Sequence, residues 1–327
     1  MTIQISIIGL GQIGASIGLA LIEHKNLLIV GHDKNVKTAK AAEKMDAVHK
    51  TNRNLPSSVR DADIIVLALP FGEIQETIDY IKEDLKADAV ILDTAPSKDA
   101  TSKWMQEELP AGRSYIGLAP VINPIYLDEG DRGVDSARVD LFHKAVTMIA
   151  APPSASGDAL QLAADFVQLL GSHPLFADLA EVDGVMASVH LLPQLTSVAL
   201  LNTTVDAPGW GEARKIAGQF FAQTTASSPK GERTASLSAE ALANGESTIR
   251  ALDGMIASLQ EIRESVVADN KETLDAVLDR AEEGRAVWLG ERRSADWLSG
   301  EEKPKTPIEI AGISERIFGF RQKKPRD

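Results

Sequence analysis

Three glycines at close spacing follow the first apolar run of the chain. Their order is Gly9-x-Gly11-x-x-Gly14, preceded by the β-branched run Gln4–Ile8 and followed by a helical pattern. Gly9 allows a tight turn, Gly11 lets the backbone approach a pyrophosphate, and Gly14 allows close packing of helix on strand. A pyrophosphate then lies at a helix N-terminus, where backbone N–H groups and the helix dipole favour negative charge. The spacing predicts a dinucleotide-binding loop.

A carboxylate ends the second predicted strand. Asp33 lies about twenty residues after the glycine loop, where an acidic side chain accepts hydrogen bonds from the adenosine ribose and repels a 2′-phosphate. It therefore favours NAD over NADP. Its neighbours His32 and Lys34 could each help to hold a phosphate, so NADP stays open. The expected cofactor contacts are Gly9, Gly11, Gln12, Ile13, Gly14, Asp33, Leu69 and Pro70.

The elements that must position these residues alternate between strand and helix. Helical patterns such as Gly14–His24, Ile74–Leu85 and Asp158–Leu170 separate short apolar runs that end at Gly, Pro or Asp. Strands separated by helices indicate a parallel, doubly wound sheet, so an α/β fold of Rossmann type is expected at the N-terminus. The predicted strands are Gln4–Ile8, Leu28–His32, Ile64–Leu69, Ala89–Asp93, Tyr115–Leu118 and Ala145–Ala150.

The second half of the chain predicts helices. One apolar stripe at helical spacing either packs inside its own domain or forms a dimer interface; it consists of Ile249, Leu252, Ile256, Leu259, Ile262 and Val266. The polar stretch Thr224–Ser238 predicts a mobile loop. The apolar stretch Val185–Leu201 contains His190, Pro193 and Gln194, which favours a buried helix over a membrane span.

Length and composition set the outer limits. The 327 residues suit two domains, here a Rossmann domain at 1–172 and an all-helical domain at 173–299, with a loose tail at 300–327. A formal net charge of -13 disfavours nucleic-acid and anionic membrane partners. The chain has no cysteine, which excludes thiolate chemistry. No secretory signal is visible, so a soluble cytoplasmic protein is expected.

Several further segments resemble the prephenate/arogenate dehydrogenase family. They are Asp61–Pro70 (DADIIVLALP), Ile91–Lys98 (ILDTAPSK), the pair Leu141-Phe142 and Val182–Gln194 (VDGVMASVHLLPQ). The resemblance covers most of the chain. It implies a Rossmann domain, an all-helical domain that forms a homodimer, and the oxidative decarboxylation of a prephenate- or arogenate-like substrate. In that reaction, a step of tyrosine formation, a ring carbon gives a hydride to NAD(P).

The chain departs from the family pattern at its proton-handling histidine. That position is Ala119, and alanine can neither accept a proton nor polarise a hydroxyl. The histidines of the later helix are replaced as well, while His190 stands where the family has serine. The replacing residues in that helix are Val182, Leu191 and Gln194.

The resemblance leaves four candidate catalytic or substrate-binding residues: Ser97, Asn123, His190 and Lys215. Ser97 follows the motif-serine position, which is Pro96, at the sheet edge where ligands of doubly wound sheets bind. Asn123 lies in the loop that replaces the surroundings of the histidine. His190 lies in an apolar helix, where a histidine is either a core residue or a proton acceptor.

The arginine that binds a substrate carboxylate in the family falls on Lys215, or on Arg214 if the register shifts by one. Either residue could also belong to a solvated helix face. A lysine holds a carboxylate as a point charge and not as a bidentate fork. No His and carboxylate residues cluster at ligand spacing, so no metal site is expected.

Three hypotheses follow. The first is an NAD-dependent oxidoreductase acting on prephenate or arogenate. The second is a dinucleotide-dependent oxidoreductase of a different hydroxy or keto acid, with His190 or Lys215 handling the proton. The third is a dinucleotide-binding protein without chemistry, because Ala119 removes the proton-handling group.

Overall fold

The computed structural model describes residues 2–130 and 133–295, which form two compact units. The first unit runs from Met1 to Val182 and resumes at Glu291, and the second is Asp183–Gly290. The expected tail at 300–327 lies outside the described residues.

The first unit is built on one eight-stranded sheet with the order β3-β2-β1-β4-β5-β6-β7-β8. Its strands are β1 Ile3–Ile8, β2 Leu27–His32, β3 Lys50–Thr51, β4 Ile64–Leu67, β5 Val90–Asp93, β6 Ser114–Pro120, β7 Val146–Ala150 and β8 His173–Phe176. All neighbouring strands are parallel except β6 and β7. The helices are α1 Gln12–Leu21, α2 Val36–Lys44, α3 Leu55–Val59, α4 Phe71–Ile81, α5 Asp99–Glu108 and α6 Gly157–Leu169.

The central strands are covered on both faces. Every residue of β4 and β5 is buried, which is why their sequences are continuous apolar runs rather than alternating patterns. Helix α6 packs Leu162 and Phe166 into the same core as Ile5 of β1. The candidate site residues of this unit follow the ends of these buried strands.

The α/β fold class is confirmed, and so are the six predicted strands, with two differences. The sheet contains β3 and β8 in addition, and β7 runs antiparallel to β6. Because β8 hydrogen-bonds to β7, the division between the units falls after Val182 and not at 172/173.

The second unit is helical. Its elements are α7 Leu179–Met186, a π-helical turn at Ala187–Leu191, α8 Leu192–Val205, α9 Trp210–Ile216, α10 Gln219–Thr225, α11 Glu232–Ala243, α12 Gly245–Val267 and α13 Lys271–Ser294. Helix α7 begins in the first unit, and helix α13 ends in it. The expected loop at Thr224–Ser238 is wrong in its second half, because α11 begins at Glu232.

Two apolar segments of the second unit are more exposed than expected. The stretch Leu179–Val205 is long and apolar enough to cross a membrane by length and composition, but only 22% of its most apolar window is buried in the chain. The expectation of a buried helix is therefore wrong for a single chain. The stripe on α12 also faces outward, since Ile249, Ile256, Leu259, Ile262 and Val266 are 37% to 62% exposed. Of the two predicted alternatives for this stripe, the one in which it packs inside its own domain is therefore wrong.

Candidate functional site

The glycine loop lies against the backbone that follows β4. Gly9 has a φ of 90°, and a Cβ there would come within 2.3 Å of the carbonyl oxygen of Ala68. A Cβ on Gly14 would come within 1.9 Å of the carbonyl oxygen of Gly9. A side chain is thus excluded at Gly9, in the turn after β1, and at Gly14, in the first turn of α1, and Gly11 precedes the first residue of α1. These residues fit a pyrophosphate held on backbone N–H groups at a helix N-terminus.

Asp33 is fixed beside this loop by two backbone donors. Its Oδ2 accepts from Leu10 N at 2.8 Å and its Oδ1 from Asn35 N at 2.7 Å. The carboxylate is therefore oriented with its remaining lone pairs available for ribose hydroxyls. Leu69 and Pro70, the other expected cofactor contacts, follow β4, and the Cδ2 of Leu69 lies next to Gly9.

The loop after β5 contains a buried ion pair that the sequence analysis did not single out. The Nζ of Lys98 donates to Asp93 Oδ2 and to the Asp93 carbonyl oxygen, both at 2.9 Å, and both side chains are fully buried. Tyr115 donates to the same Oδ2 at 3.2 Å, and Ala95 N donates to Oδ1 at 2.8 Å. Ser97 lies inside this loop and is itself fully buried.

The missing side chain of Gly117 makes room for that lysine. A Cβ on Gly117 would lie 2.6 Å from Lys98 Cδ and 3.1 Å from the hydroxyl of Tyr115. The quoted segment ILDTAPSK already contained both charged partners. Sequence reasoning missed the cluster because only the fold brings β6 beside it.

Ala119 lies on β6 and is buried, with Met148 of β7 as its register partner. Asn123, four residues on, is buried with both ends of its amide used locally. Its Nδ2 donates to Asp140 O at 3.2 Å, and its Oδ1 accepts from Ile125 N at 3.2 Å. The structure therefore assigns Asn123 a role in shaping the loop after β6.

The loop after β6 is hydrogen-bonded to α1, the helix that follows the first two glycines of the glycine loop. Gln12 Nε2 donates to Ser136 O at 3.2 Å, and Arg138 N donates to Ser16 Oγ at 3.0 Å. Further along, Tyr126 donates to Asp140 Oδ1 at 2.7 Å, and this hydrogen bond is the main reason that the pKa of Tyr126 is raised.

Arg292 also holds this loop. It is buried at the end of α13 and donates from Nη2 to Ile122 O at 2.7 Å, within the first unit. Burial lowers the pKa of its guanidinium.

His190 lies in the π-helical turn of the second unit. Pro193 follows at the start of α8, and its ring cannot sit over a regular α-helical carbonyl four residues earlier. The wider turn relieves that clash, and Gln194 Nε2 donates to the His190 carbonyl oxygen at 2.9 Å. Arg233 Nη2 lies 3.4 Å from Gln194 Oε1. Turns of this kind occur often at functional sites.

Lys215 lies on the exposed helix α9. Its Nζ is 2.8 Å from both carboxylate oxygens of Glu212, so a substrate carboxylate would have to displace that partner. Arg214 donates from Nε to Gly211 O at 3.4 Å.

The candidate site residues of the first unit share one sheet edge. Strands β1, β2, β4, β5 and β6 are parallel, so the segments that follow them meet at their common carboxyl end. The residues brought together there are Gly9, Gly11, Gln12, Ile13, Gly14, Asp33, Leu69, Pro70, Ser97 and Asn123. His190 and Lys215 belong to the second unit. In the described parts of the chain, no group of three or more His, Asp or Glu could hold a metal ion.

Comparison with known proteins gives a family match. The model for the nucleotide-binding domain of prephenate dehydrogenase matches residues 17–192, which is more than half of the chain. The match begins after Gly14, so the glycine loop is a separate observation. A cyclohexadienyl dehydrogenase of Zymomonas mobilis is 22% identical over 275 residues, covering 83% of this chain and 91% of that protein.

Solved structures share the fold. Prephenate dehydrogenase from Aquifex aeolicus, in complex with hydroxyphenyl propionate and NAD+, superposes with a TM-score of 0.75 at 20% identity, covering 88% of this chain and 99% of that one. Synechocystis arogenate dehydrogenase superposes with a TM-score of 0.68 at 20% identity, covering 88% of this chain and 100% of that one. The expected architecture of a Rossmann-type sheet followed by helices is thus that of known dehydrogenases.

Proposed function

Because the chain belongs to the prephenate dehydrogenase family, we propose that it is an NAD-dependent dehydrogenase that oxidatively decarboxylates prephenate or arogenate in tyrosine biosynthesis. The observation that carries the proposal is the coincidence of two independent features. One is the family match over residues 17–192, and the other is a glycine loop in which Gly9 and Gly14 have no room for a Cβ. Relatives of similar fold are described as prephenate, arogenate and cyclohexadienyl dehydrogenases.

The cofactor is proposed to be NAD, with NADP the weaker alternative. The oriented carboxylate of Asp33 supports this, because a second negative charge on the ribose would face it directly. When bound, the nicotinamide supplies a hydride acceptor. The residues that would hold the dinucleotide are Gly9, Gly11, Gln12, Ile13, Gly14, Asp33, Leu69 and Pro70.

The substrate gives up a hydride from the hydroxyl-bearing ring carbon and its hydroxyl proton. Loss of carbon dioxide then leaves a phenolate, which takes a proton back to give the phenol. A group of the chain must take or relay that proton, and Ala119 cannot. We assign the proton to His190, the imidazole of the π-helical turn. Lys215 is assigned a charge contact with the substrate carboxylate. The complete burial of Ser97 supports a role in shaping the loop after β5 instead of a direct contact. The local bonds of Asn123 support a loop-shaping role instead of a direct one.

The test is a direct assay. Purified protein is mixed with NAD+ and either prephenate or arogenate, and NADH is followed by its absorbance. Turnover of one substrate is expected, and absence of turnover on both would remove the assignment. Dinucleotide binding without turnover would instead support a binding protein, and turnover of another hydroxy acid would support the broader oxidoreductase.

A pair of variants tests the proton assignment. His190→Ala should lower kcat about 10²-fold or more, the low end of what a general acid or base contributes. Ser188→Ala, an exposed change in the same turn, is the matched control and should leave kcat unchanged. Unchanged activity in His190→Ala would exclude His190 as the proton acceptor.

We further propose a homodimer formed through the helical unit, located in the cytoplasm. The exposed apolar stripe on α12 and the exposed surface of Leu179–Val205 support the dimer, because contiguous apolar surface of this kind usually marks an interaction site.

A further inference from the structure

Lys34 and Glu73 form an ion pair across the carboxyl end of β1. Lys34 follows β2, and Glu73 lies in the first turn of α4, which follows β4. Strands β2 and β4 lie on opposite sides of β1, so the pair spans two strand spacings, roughly 10 Å. The Nζ of Lys34 lies 2.9 Å from Glu73 Oε1. The bridge therefore crosses above the strand from which the glycine loop emerges.

This position matters because Lys34 is adjacent to Asp33. In Rossmann domains the carboxylate at the end of β2 receives the adenosine ribose, and a nearby cation accommodates the 2′-phosphate of NADP. Lys34 is suited by place and charge to bind such a phosphate. Glu73 engages that ammonium, and Asp33 adds a second carboxylate at the residue before Lys34.

The histidine on the other side of Asp33 offers little to a phosphate. The Nδ1 of His32 lies 2.8 Å from the carbonyl oxygen of Asn52, and this contact orients the ring toward the loop after β3. A phosphate at the ribose would therefore meet Asp33, Lys34 and Glu73 with a combined formal charge of -1.

We propose that Glu73 is a specificity-determining residue that selects NAD over NADP. It does so by engaging Lys34 and by adding a second negative charge where a 2′-phosphate would lie. The proposal rests on the proposed dinucleotide function and concerns only the cofactor, so it can be tested without any substrate.

The experiment is an equilibrium titration of the full chain with NAD+ and with NADP+ by calorimetry. Glu73→Gln keeps the size of the side chain and removes its charge. We expect it to lower the NADP+ dissociation constant roughly threefold to tenfold at low ionic strength, and less in 0.15 M salt, because exposed charges are screened. The NAD+ dissociation constant should change by less than about twofold, since NAD+ lacks the 2′-phosphate.

A double-mutant cycle shows whether the gain passes through Lys34. Lys34→Met combined with Glu73→Gln should lose most of the NADP+ gain, because the released cation is then absent. Glu107→Gln, an exposed change on α5, removes the same charge elsewhere and should leave both dissociation constants unchanged. Thermal melting of each variant confirms that it is folded.

The outcomes separate the two proposals. If the unmodified chain binds NAD+ and Glu73→Gln leaves NADP+ binding unchanged, the inference is overturned and the proposed cofactor stands. A wild-type preference for NADP+ would also overturn the inference. If no variant binds either dinucleotide, the proposed function fails together with the inference.

Discussion

Ala119 is buried on β6, at the position where the family resemblance predicts a proton-handling histidine. Its side chain points to the same face of β6 as Gly117 and Tyr115, because alternate strand residues share a face. We predict that Ala119→His raises kcat on prephenate or arogenate at least about tenfold, since a positioned acid–base group contributes about 10²–10⁴. The buried site also predicts a stability loss of about 1–3 kcal/mol from overpacking.

Steady-state kinetics and urea unfolding check this prediction. Ala119→Gln, which has bulk and hydrogen-bonding capacity but no basic group, is the control and should give no comparable gain. If Ala119→His stays folded and its kcat does not rise, the prediction that the site lacks only a histidine at this position is wrong.

The charged side chain of Lys98 is fully buried. Replacing it with methionine keeps the length of the stem and leaves the buried carboxylate of Asp93 without its cation. We predict that Lys98→Met lowers the free energy of unfolding by roughly 3–5 kcal/mol, as expected when one partner of a buried pair is removed.

The double variant Asp93→Asn with Lys98→Met removes both charges and should recover most of that loss. Urea denaturation of the wild type and the two variants measures each free energy of unfolding. Equal stability of Lys98→Met and the wild type would mean that the pair does not hold the loop after β5.

At the scale of elements, the first turn of α1 tolerates no side chain at Gly14. We predict that Gly14→Ala abolishes measurable NAD+ binding and destabilises the fold, because the added methyl group would meet the backbone carbonyl of Gly9. Gly254→Ala in α12 is the matched control. A Cβ there meets nothing within 4 Å, so the change should stabilise the helix by up to about 1 kcal/mol. Calorimetry and thermal melting of both variants measure the contrast, and normal NAD+ binding by Gly14→Ala would contradict it.

Local patterns predicted the elements that are buried along their whole length. Strands β4 and β5 have apolar runs bounded by turn residues, so their sequences indicate them directly. Strand β8 was missed because His173 and Pro174 open it and its last two residues are exposed. Helix α11 was missed because its serines and threonines are also typical of loops.

Strand direction and distant partners are not written in local patterns. The described residues of the connection from β6 to β7 contain no α-helix, and that signal could have indicated the antiparallel pair, since parallel strands need a crossover. The glycine loop and Asp33 were predictable because their spacing is local. The bridge between Lys34 and Glu73 was not, because its partners are 39 residues apart and meet only through the strand order.

At the scale of the whole molecule, the outward stripe on α12 is the surface through which we propose that the homodimer forms. We predict that Ile256→Lys converts a homodimer into monomers, because it places a charge in the middle of the apolar stripe. Gln260→Lys, which adds the same charge at an exposed polar position of α12, should leave the dimer intact. Analytical ultracentrifugation of both variants measures the mass. A wild type that sediments as a monomer would remove the assembly proposal.

Gln12 donates to the carbonyl oxygen of Ser136 and the hydroxyl of Ser16 accepts from Arg138 N, so two hydrogen bonds connect α1 to the segment near Ser136. Binding of NAD+ at the glycine loop should therefore reduce the mobility of residues 133–138, which are far from that loop in the sequence. Deuterium uptake at those amides should slow when NAD+ is added, and it should slow less in Gln12→Ala. Cofactor binding would thereby order the neighbouring segment before the substrate binds.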